Sequence, residues 1–534
     1  MVKAGLTGAE SSAASSRRSS FARRRLSALG LVTVIAFGAF AISSHVDLPD
    51  SYQPRLLRAT VTIAPGEATS TVPRSYLGVS IEYWALPRYA RHMAVFERIL
   101  SLLHVPGGGP LVLRVGGDSA DRSFWDPRLK TLPRWAFALT PNWLRLASVL
   151  VRRLGLRLII DLNLITDSPS TAAHWARAAE ARLPRRSIIG FEVGNEPDIY
   201  GRSDWTALTA GKLIGGRVLP AALTSDDYVA DFREYTAALR RVAPNVPLIG
   251  PALANPRAHE RWIASLIASH QPALGMVSAH RYPYSACSPR RSPSFPTIAR
   301  LLSERATAAM AASLGPALKA AHRAGLPFRV TELNSVTCGG RPGVSNTFAT
   351  ALWAPDALFE LLREGVNGVN LHARADAINA PFPLTASGVT ARPLLYGLIM
   401  FARTLGSDPR LVPLQLRSGG SLHLKAWAVR TGGDGLHVLL INKGRRPVQV
   451  LLRLPASGQA TIERLLAPSA RSCCGVTLDG QRLGPDGSWL GAPAGQTVTP
   501  TKRGYVLTVP RLSAALLSAR LQPGVLARDV PEPT

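Results

Sequence analysis

Between residues 77 and 372 short apolar runs alternate with longer stretches whose apolar residues recur at helical spacing. The runs are 77–83 (LGVSIEY), 111–117 (LVLRVGG), 157–164 (RLIIDLNL), 188–196 (IIGFEVGNE), 248–252 (LIGPA), 276–282 (MVSAHRY), 328–334 (FRVTELN) and 366–372 (VNGVNLH). Helical periodicity is clear in 172–183 and in 226–242, where Ser225 is the expected N-cap before an acidic first turn. Strands this apolar on both faces, joined through helices, predict parallel pairing. Eight such units in about 300 residues predict an α/β fold of the (β/α)8 type, a TIM barrel, over residues 75–405. The alternative, a doubly wound sheet, would want a glycine-rich phosphate loop after its first strand. Neither GxGxxG nor GxxxxGK[ST] occurs, and Gly107-Gly108-Gly109 precedes a strand rather than a helix.

From about residue 406 the period changes. Segments 422–429, 436–441, 448–454 and 505–509 alternate apolar and polar residues between Gly, Pro, Asn and Asp, which predicts an all-β domain, a β-sandwich, over 406–525. Val61-Thr62-Ile63, in the segment 44–74, could add a strand to it, and 526–534 reads as a Pro-rich tail. At the other end, residues 1–25 are polar and basic, ending in Arg23-Arg24-Arg25, and an apolar run follows over 26–42. Residues 1–43 therefore read either as a signal peptide, with Ala39-Phe40-Ala41 as a small-x-small cleavage site, or as a single N-terminal membrane anchor. Both readings place the rest of the chain outside the cytoplasm, secreted or anchored.

Composition narrows the function classes. The chain has 534 residues, 46% hydrophobic and 18% charged, which excludes a disordered or collagen-like protein. A net charge of +28 points towards polyanionic partners, but only seven of the 62 basic residues are Lys and the Arg are spread along the chain. No RNA-binding aromatic signature, zinc finger or basic zipper accompanies them, so no nucleic acid partner is expected. Four Cys are too few for a disulfide scaffold. In an exported chain Cys287 and Cys338 become a candidate disulfide, and their places after the sixth and seventh strands predict a bridge between neighbouring loops; Cys473-Cys474 is an odd adjacent pair.

In a barrel the reactive groups sit where strands run into loops on the C-terminal face. The fourth predicted strand ends in Gly194-Asn195-Glu196-Pro197 and the seventh in Thr331-Glu332-Leu333-Asn334, each with a carboxylate in an apolar run. Two carboxylates flanking one bond are what glycoside hydrolysis requires, and in its retaining form they stand about 5–5.5 Å apart. No metal or organic cofactor is implied, since HExxH and paired CxxC motifs are absent.

The motifs LGVSIEYW, LRVGGDSADRSFW, GFEVGNEPDIY, SAHRYPYSAC, TELNSVTCGG and GVNLH, in that order, resemble family 79 of the glycoside hydrolases, the β-glucuronidase and heparanase-like family within the clan of retaining (β/α)8 glycosidases. The resemblance implies an exported retaining β-glycosidase, a β-glucuronidase acting on glucuronides or uronic-acid-containing glycans, with Glu196 as general acid/base and Glu332 as nucleophile. It further implies that Asn195 bonds the sugar 2-hydroxyl, that Tyr282 bonds the nucleophile with His280 nearby, and that Glu82 and Asp118 face the sugar. Gly339 and Gly340 match the loop whose backbone amides hold the glucuronate carboxylate. From the residues alone, Glu82 and Asp118 could equally pair with Arg114 or Arg122. One departure stands out: family members that bind glucuronate tend to carry Tyr where this chain has Leu371, between Asn370 and His372. That removes a donor to the substrate carboxylate unless Arg374 replaces it by charge. A neutral-sugar β-glycosidase of the same clan and an inactive glycan-binding protein are the alternatives. Cleavage mode, aglycone and oligomeric state are not encoded in any motif.

Overall fold

Eight parallel strands close on themselves into a barrel. In chain order they are Leu77–Glu82, Val112–Gly116, Arg157–Leu162, Ile188–Val193, Leu248–Leu253, Leu274–Arg281, Phe328–Leu333 and Gly368–His372, the first to eighth barrel strands. The eighth pairs with the first, Val369 opposite Leu77 and Leu371 opposite Val79, so the sheet has no edge. The computed structural model describes residues 56–64, 70–125, 132, 134–201, 223–270 and 272–522. The expectations for 1–43 and for the tail lie outside the described residues. Among the described residues no helix is long and apolar enough to cross a membrane.

Strand alternation explains the apolar runs. Val79, Ile81, Leu113, Val115, Leu158, Ile160, Phe191 and Val193 are buried in the layer between strands and helices. The opposite face fills the barrel: Val112, Ile159 and Ile249 form a small apolar plug towards the N-terminal end. Beside it the fully buried Arg329 donates to Asn370 Oδ1 at 2.6 Å and to the Ser75 carbonyl at 3.0 Å. Gly368 makes room for this guanidinium, since a Cβ there would lie 2.0 Å from Arg329 Nη1. The helix expected over 226–242 runs from Ser225 to Arg240 and is capped by Thr224 rather than Ser225. Thr224 forms a reciprocal capping box with Asp227, a pairing unavailable to Ser225, which is already the first helical residue.

The β-domain is a sandwich, as the alternation predicts. One sheet orders Gln415–Ser418, Leu57–Thr62, Val448–Arg453 and Tyr505–Val509. The other is eight-stranded and includes Leu424–Arg430, Gly435–Asn442, Ser513–Leu521 and Ala456–Leu466. Between them Val61, Val438, Leu440, Val450, Leu507 and Leu517 form a second core. The other face of the eight-stranded sheet lies on the barrel helix Phe348–Arg363, whose residues are buried almost throughout. There Trp427 stacks on Phe359 at 5.2 Å, and Asp356 accepts from Trp427 Nε1 at 3.0 Å and pairs with Lys443 at 2.5 Å.

Candidate active site

At the C-terminal end of the barrel the interior turns from apolar to ionic. Arg114, at the centre of the second strand, is fully buried and uses every guanidinium nitrogen. Nε donates to Glu192 at 2.5 Å, Nη1 to Glu332 Oε1 at 2.7 Å and Ser80 Oγ at 3.2 Å, and Nη2 to Asp161 at 2.8 Å and Asn195 Oδ1 at 2.9 Å. Three carboxylates thus share one cation, and Thr331 donates to the remaining Glu192 oxygen at 2.9 Å. Burial, reinforced by the Glu192, Asp121 and Glu332 charges, raises the Asp161 carboxyl well above the usual range even against Arg114.

Glu332 lies within the seventh strand, its side chain almost wholly buried. Oε2 accepts from Tyr282 Oη at 2.8 Å, and His372 Nδ1 stands 3.2 Å away. Tyr282 Oη also lies 2.8 Å from His372 Nδ1. The phenol spends its one proton on Glu332, so the imidazole must supply the proton on the other side. Burial, and then the charges of Glu332 and Glu196, keep that phenol protonated and a donor. Burial also works against the Glu332 charge, but His372, His280, Arg114 and the Tyr282 hydrogen bond outweigh it and hold the carboxyl down at about 2. Burial likewise opposes charge on His372, yet Glu332 and Glu82 raise its pKa.

Glu196 is placed differently. The fourth strand ends at Val193, not at Glu196, because Gly194 (φ 81°) and Glu196 (φ 53°) take left-handed conformations that leave the sheet. The Glu196 amide donates to the Ala252 carbonyl at 3.1 Å. Two residues on, Asp198 accepts from the amides of Ala254 and Asn255, each at 2.9 Å, tying the turn to the loop after the fifth strand. So held, Glu196 Oε1 meets His280 Nδ1 at 2.9 Å. The ladder between the sixth and seventh strands shifts register between Ala279 and His280, which aims His280 at both glutamates. Glu196, His280 and Glu332 present atoms all within 4.8 Å of one another. The same three atoms could be offered to a metal ion, which would have to displace the His280 to Glu196 bond.

The other predicted residues distribute around this pair. Asn195 Oδ1 accepts from Arg114 and its backbone amide donates to Tyr200 Oη at 3.1 Å, which fixes the side-chain amide and leaves Nδ2 as a donor for a ligand. Tyr200 in turn donates to Asp121 at 2.6 Å. Burial pushes the Asp121 carboxyl up to about 6 despite hydrogen bonds from Tyr200 and from the backbone amides of Leu164, Ile165 and Asn195. Glu82 accepts from the Ser119 amide at 2.9 Å and faces His372 Nε2 at 3.5 Å. Gly117 (φ 69°) lets the chain pass between the two sites, since a Cβ there would crowd both Glu82 and Glu332. Asp118 stands at the mouth, its side chain half exposed, 3.4 Å from Arg374. Neither pairs with Arg114, as the sequence allowed, because Asp161, Glu192 and Glu332 occupy that guanidinium. Enclosure by the surrounding loops and the charges of Glu82, Glu196 and Glu332 raise the Asp118 pKa, with Arg374 opposing.

The structure joins Cys287 and Cys338 in a disulfide between the loops after the sixth and seventh strands. In the glycine loop the Gly340 amide donates to the Thr337 carbonyl at 3.2 Å, so it is spent within its own turn. Leu371 requires a correction. It is fully buried in the layer between strands and helices, while its neighbours Asn370 and His372 point inward. Alternation puts position 371 on the far side of the strand from the site, so its identity does not report on donors in the pocket. Sequence reasoning also passed over Asp161, Glu192, Asp121, Asp198 and His372; for Asp161 and Glu192 the available signal was a charge inside an otherwise apolar run, whereas Asp121 and Asp198 lie in the segments beyond the runs and His372 ends the last of them.

A closed parallel barrel carrying one glutamate in the turn after its fourth strand and another within its seventh, at this separation, has the form of a (β/α)8 glycosidase. Comparison with known proteins agrees. The chain is 23% identical to a β-glucuronidase of Aspergillus niger over 91% of its own length and 98% of that protein's. It is 22% identical to a β-glucuronidase of Neurospora crassa, over 63% and 64% of the two chains. Among solved structures it matches a 4-O-α-L-rhamnosyl-β-D-glucuronidase from Fusarium oxysporum at a TM-score of 0.70 with 19% identity, covering 86% of this chain and 99% of that one. A family 51 arabinofuranosidase from Xanthomonas axonopodis aligns at a TM-score of 0.61 with 15% identity, over 87% and 100% of the two chains. No protein-family model matches the chain. The resemblance read from the motifs is borne out by the two relatives, and the barrel with its sandwich by the solved folds.

Proposed function

We propose that this protein is a retaining β-glycosidase that hydrolyses β-glucuronides. The observation that carries the reading is a pair of carboxylates in opposite environments whose facing oxygens lie within 4.8 Å, in keeping with the roughly 5–5.5 Å of retaining enzymes rather than the 6.5–9.5 Å that inverting enzymes leave for a water. Glu332, fixed by Arg114, Tyr282 and His372, is held ionised as the nucleophile. Glu196, which among the described residues bonds only the His280 side chain, is the acid/base. In the first step Glu196 protonates the glycosidic oxygen as Glu332 Oε2 attacks the anomeric carbon, giving a glycosyl ester. In the second, Glu196 takes a proton from a water whose oxygen attacks the anomeric carbon and displaces the Glu332 carboxylate, which releases the sugar with its configuration retained. Asn195 Nδ2 donates to the 2-hydroxyl as the transition state forms. The sugar identity rests on the two relatives named β-glucuronidase. The basic and then apolar N-terminal sequence supports export, by cleavage or as an anchored protein.

A neutral-sugar β-glycosidase is the second reading. It is favoured by the Gly340 amide already spent in its turn and by Arg374 already engaged with Asp118 and Asp376. Hydrolysis of matched aryl β-glucuronide and β-glucoside, with Glu332→Gln as control, separates the two. A preference of about 100-fold for the glucuronide, some 2.7 kcal/mol in the transition state, is expected. A preference for the glucoside would discard the sugar and keep the mechanism, and α-anomeric first product would discard the mechanism.

A further inference from the structure

The outer face of the four-stranded sheet carries charge of one sign. Along Leu57–Thr62 the pleat sends Ala59 and Val61 into the sandwich and Arg58, Thr60 and Thr62 outward. Val448–Arg453 likewise turns Gln449, Leu451 and Arg453 outward, and Tyr505–Val509 turns out Val506 and Thr508. The register puts Arg58 opposite Gln449, Arg417 opposite Thr60 and Arg453 opposite Thr62. Three arginines on three adjacent strands therefore step along the strand direction by two residues at a time, roughly 7 Å per step. Exposed turns extend the row with Lys502 and Arg503 beyond one end and Arg445 beyond the other. Segments 56–64, 413–423, 443–455 and 499–512, which build this face, contain no Asp or Glu. Among the described residues none of the six cations is in an ion pair.

A face of this kind holds an uncompensated positive potential. The occupant's chemistry follows from what lies between the charges. Thr60, Thr62, Thr508, Gln415 and Gln449, beside the apolar pair Leu451 and Val506, offer hydroxyls and amides between guanidinium groups that can bind carboxylates in bidentate fashion. That alternation suits a chain of sugars bearing regular carboxylates. A lipid surface would call for apolar or aromatic residues at the protruding turns, where this domain has Lys502, Arg503 and Arg445. Unpaired bases would call for aromatic platforms, and the outward positions hold none. We propose that this face, on the side of the sandwich away from the barrel, is a second carbohydrate site that docks an acidic polysaccharide. The choice of a glycan as occupant rests on the glycosidase reading.

The test compares wild type, the combined Arg58→Glu, Arg417→Glu, Arg453→Glu variant, and a control with the same charge change on barrel helices, Arg152→Glu, Arg177→Glu, Arg182→Glu. Binding to polygalacturonate is measured by affinity electrophoresis at low and high salt, beside kcat/KM on an aryl β-glucuronide. The sheet variant should bind polygalacturonate at least about tenfold more weakly while the control binds like wild type, with hydrolysis unchanged in all three. Equal losses in both variants, or none in the sheet variant, would overturn the site. Tighter binding of duplex DNA or phosphatidylglycerol vesicles than of polygalacturonate, lost in the sheet variant, would overturn the occupant. Docking without hydrolysis of any aryl glycoside would refute the glycosidase reading and leave the face standing. If the sheet variant melts early, Arg→Gln at the same three positions replaces it, with about a threefold loss expected.

Discussion

Tyr282→Phe removes one oxygen and nothing else from the nucleophile's surroundings. That oxygen donates to Glu332 Oε2 at 2.8 Å and accepts from the His372 ring at the same distance. A hydrogen bond to a charged group contributes about 1.5–3 kcal/mol, and a pKa unit corresponds to about 1.4 kcal/mol, so Glu332 should rise by about one to two units. Its carboxyl, held at about 2 in the wild type, should then titrate near 3 to 4. The assay is kcat/KM on an aryl β-glucuronide from pH 2.5 to 6, with melting temperature recorded at each pH. The substrate's own carboxyl titrates identically against both enzymes, so the difference between acid limbs reports the protein. The signs are fixed: activity follows ionisation of the folded carboxyl and fades around its folded pKa, whereas the stability it contributes is whole above its ordinary pKa and is lost as pH falls towards the folded value. The variant's acid limb should therefore move to higher pH, and the stability that Glu332 contributes should be smaller and be exhausted at a higher pH. An acid limb that stays in place while kcat drops would mean that the hydroxyl orients Glu332 without stabilising its charge, and the electrostatic account would fail.

Arg114→Met leaves Asp161, Glu192 and Glu332 without their shared cation and should lower the unfolding free energy by about 3–5 kcal/mol in urea titrations; a loss below about 1 kcal/mol would contradict the burial seen here. Asp198→Asn weakens the anchors on the Ala254 and Asn255 amides and so loosens Glu196, and kcat should fall about tenfold with an alkyl aglycone but little with nitrophenol, which needs no proton. Equal losses on both aglycones would show that Asp198 serves something other than the acid. Replacing Cys287 and Cys338 together by Ser opens a loop with a sequence separation of 51 and should cost at most about 4 kcal/mol of stability, measured by chemical denaturation.

Much of the barrel is written in the sequence because each strand is buried on both faces, and the apolar run survives wherever a residue points. The exceptions are instructive. The run 188–196 looks continuous, yet the strand stops at Val193, since a pattern of apolar residues does not reveal that Gly194 and Glu196 turn left-handed. Thr224 and Ser225 are both good caps by composition, and only the reciprocal bond from Asp227 decides between them. The glutamates were legible because each is an ion in an apolar run at a strand end. Arg114, Asp161 and Glu192 carry the same signal, a charge amid apolar residues, but closure of the barrel is what brings them together. Leu371 misled for the converse reason. A motif names positions without saying which way each faces, and a shift of one residue along a strand is a change of side.

The strand Leu57–Thr62 enters the four-stranded sheet before the barrel begins, and its neighbours on either side, Gln415–Ser418 and Val448–Arg453, arrive only after the barrel ends. In chain terms the barrel is an insertion within the sandwich, gripped at both of its termini by one sheet. The two lobes are therefore not separable cassettes. A truncation after the barrel would strip both partners from an edge that the N-terminal strand leaves behind, and on synthesis that strand must wait, unpaired, for more than half the polypeptide to follow it. A parallel pairing closed across such a span makes completion of the sandwich a late event, so the folding chain presents its active-site lobe before the lobe that secures it.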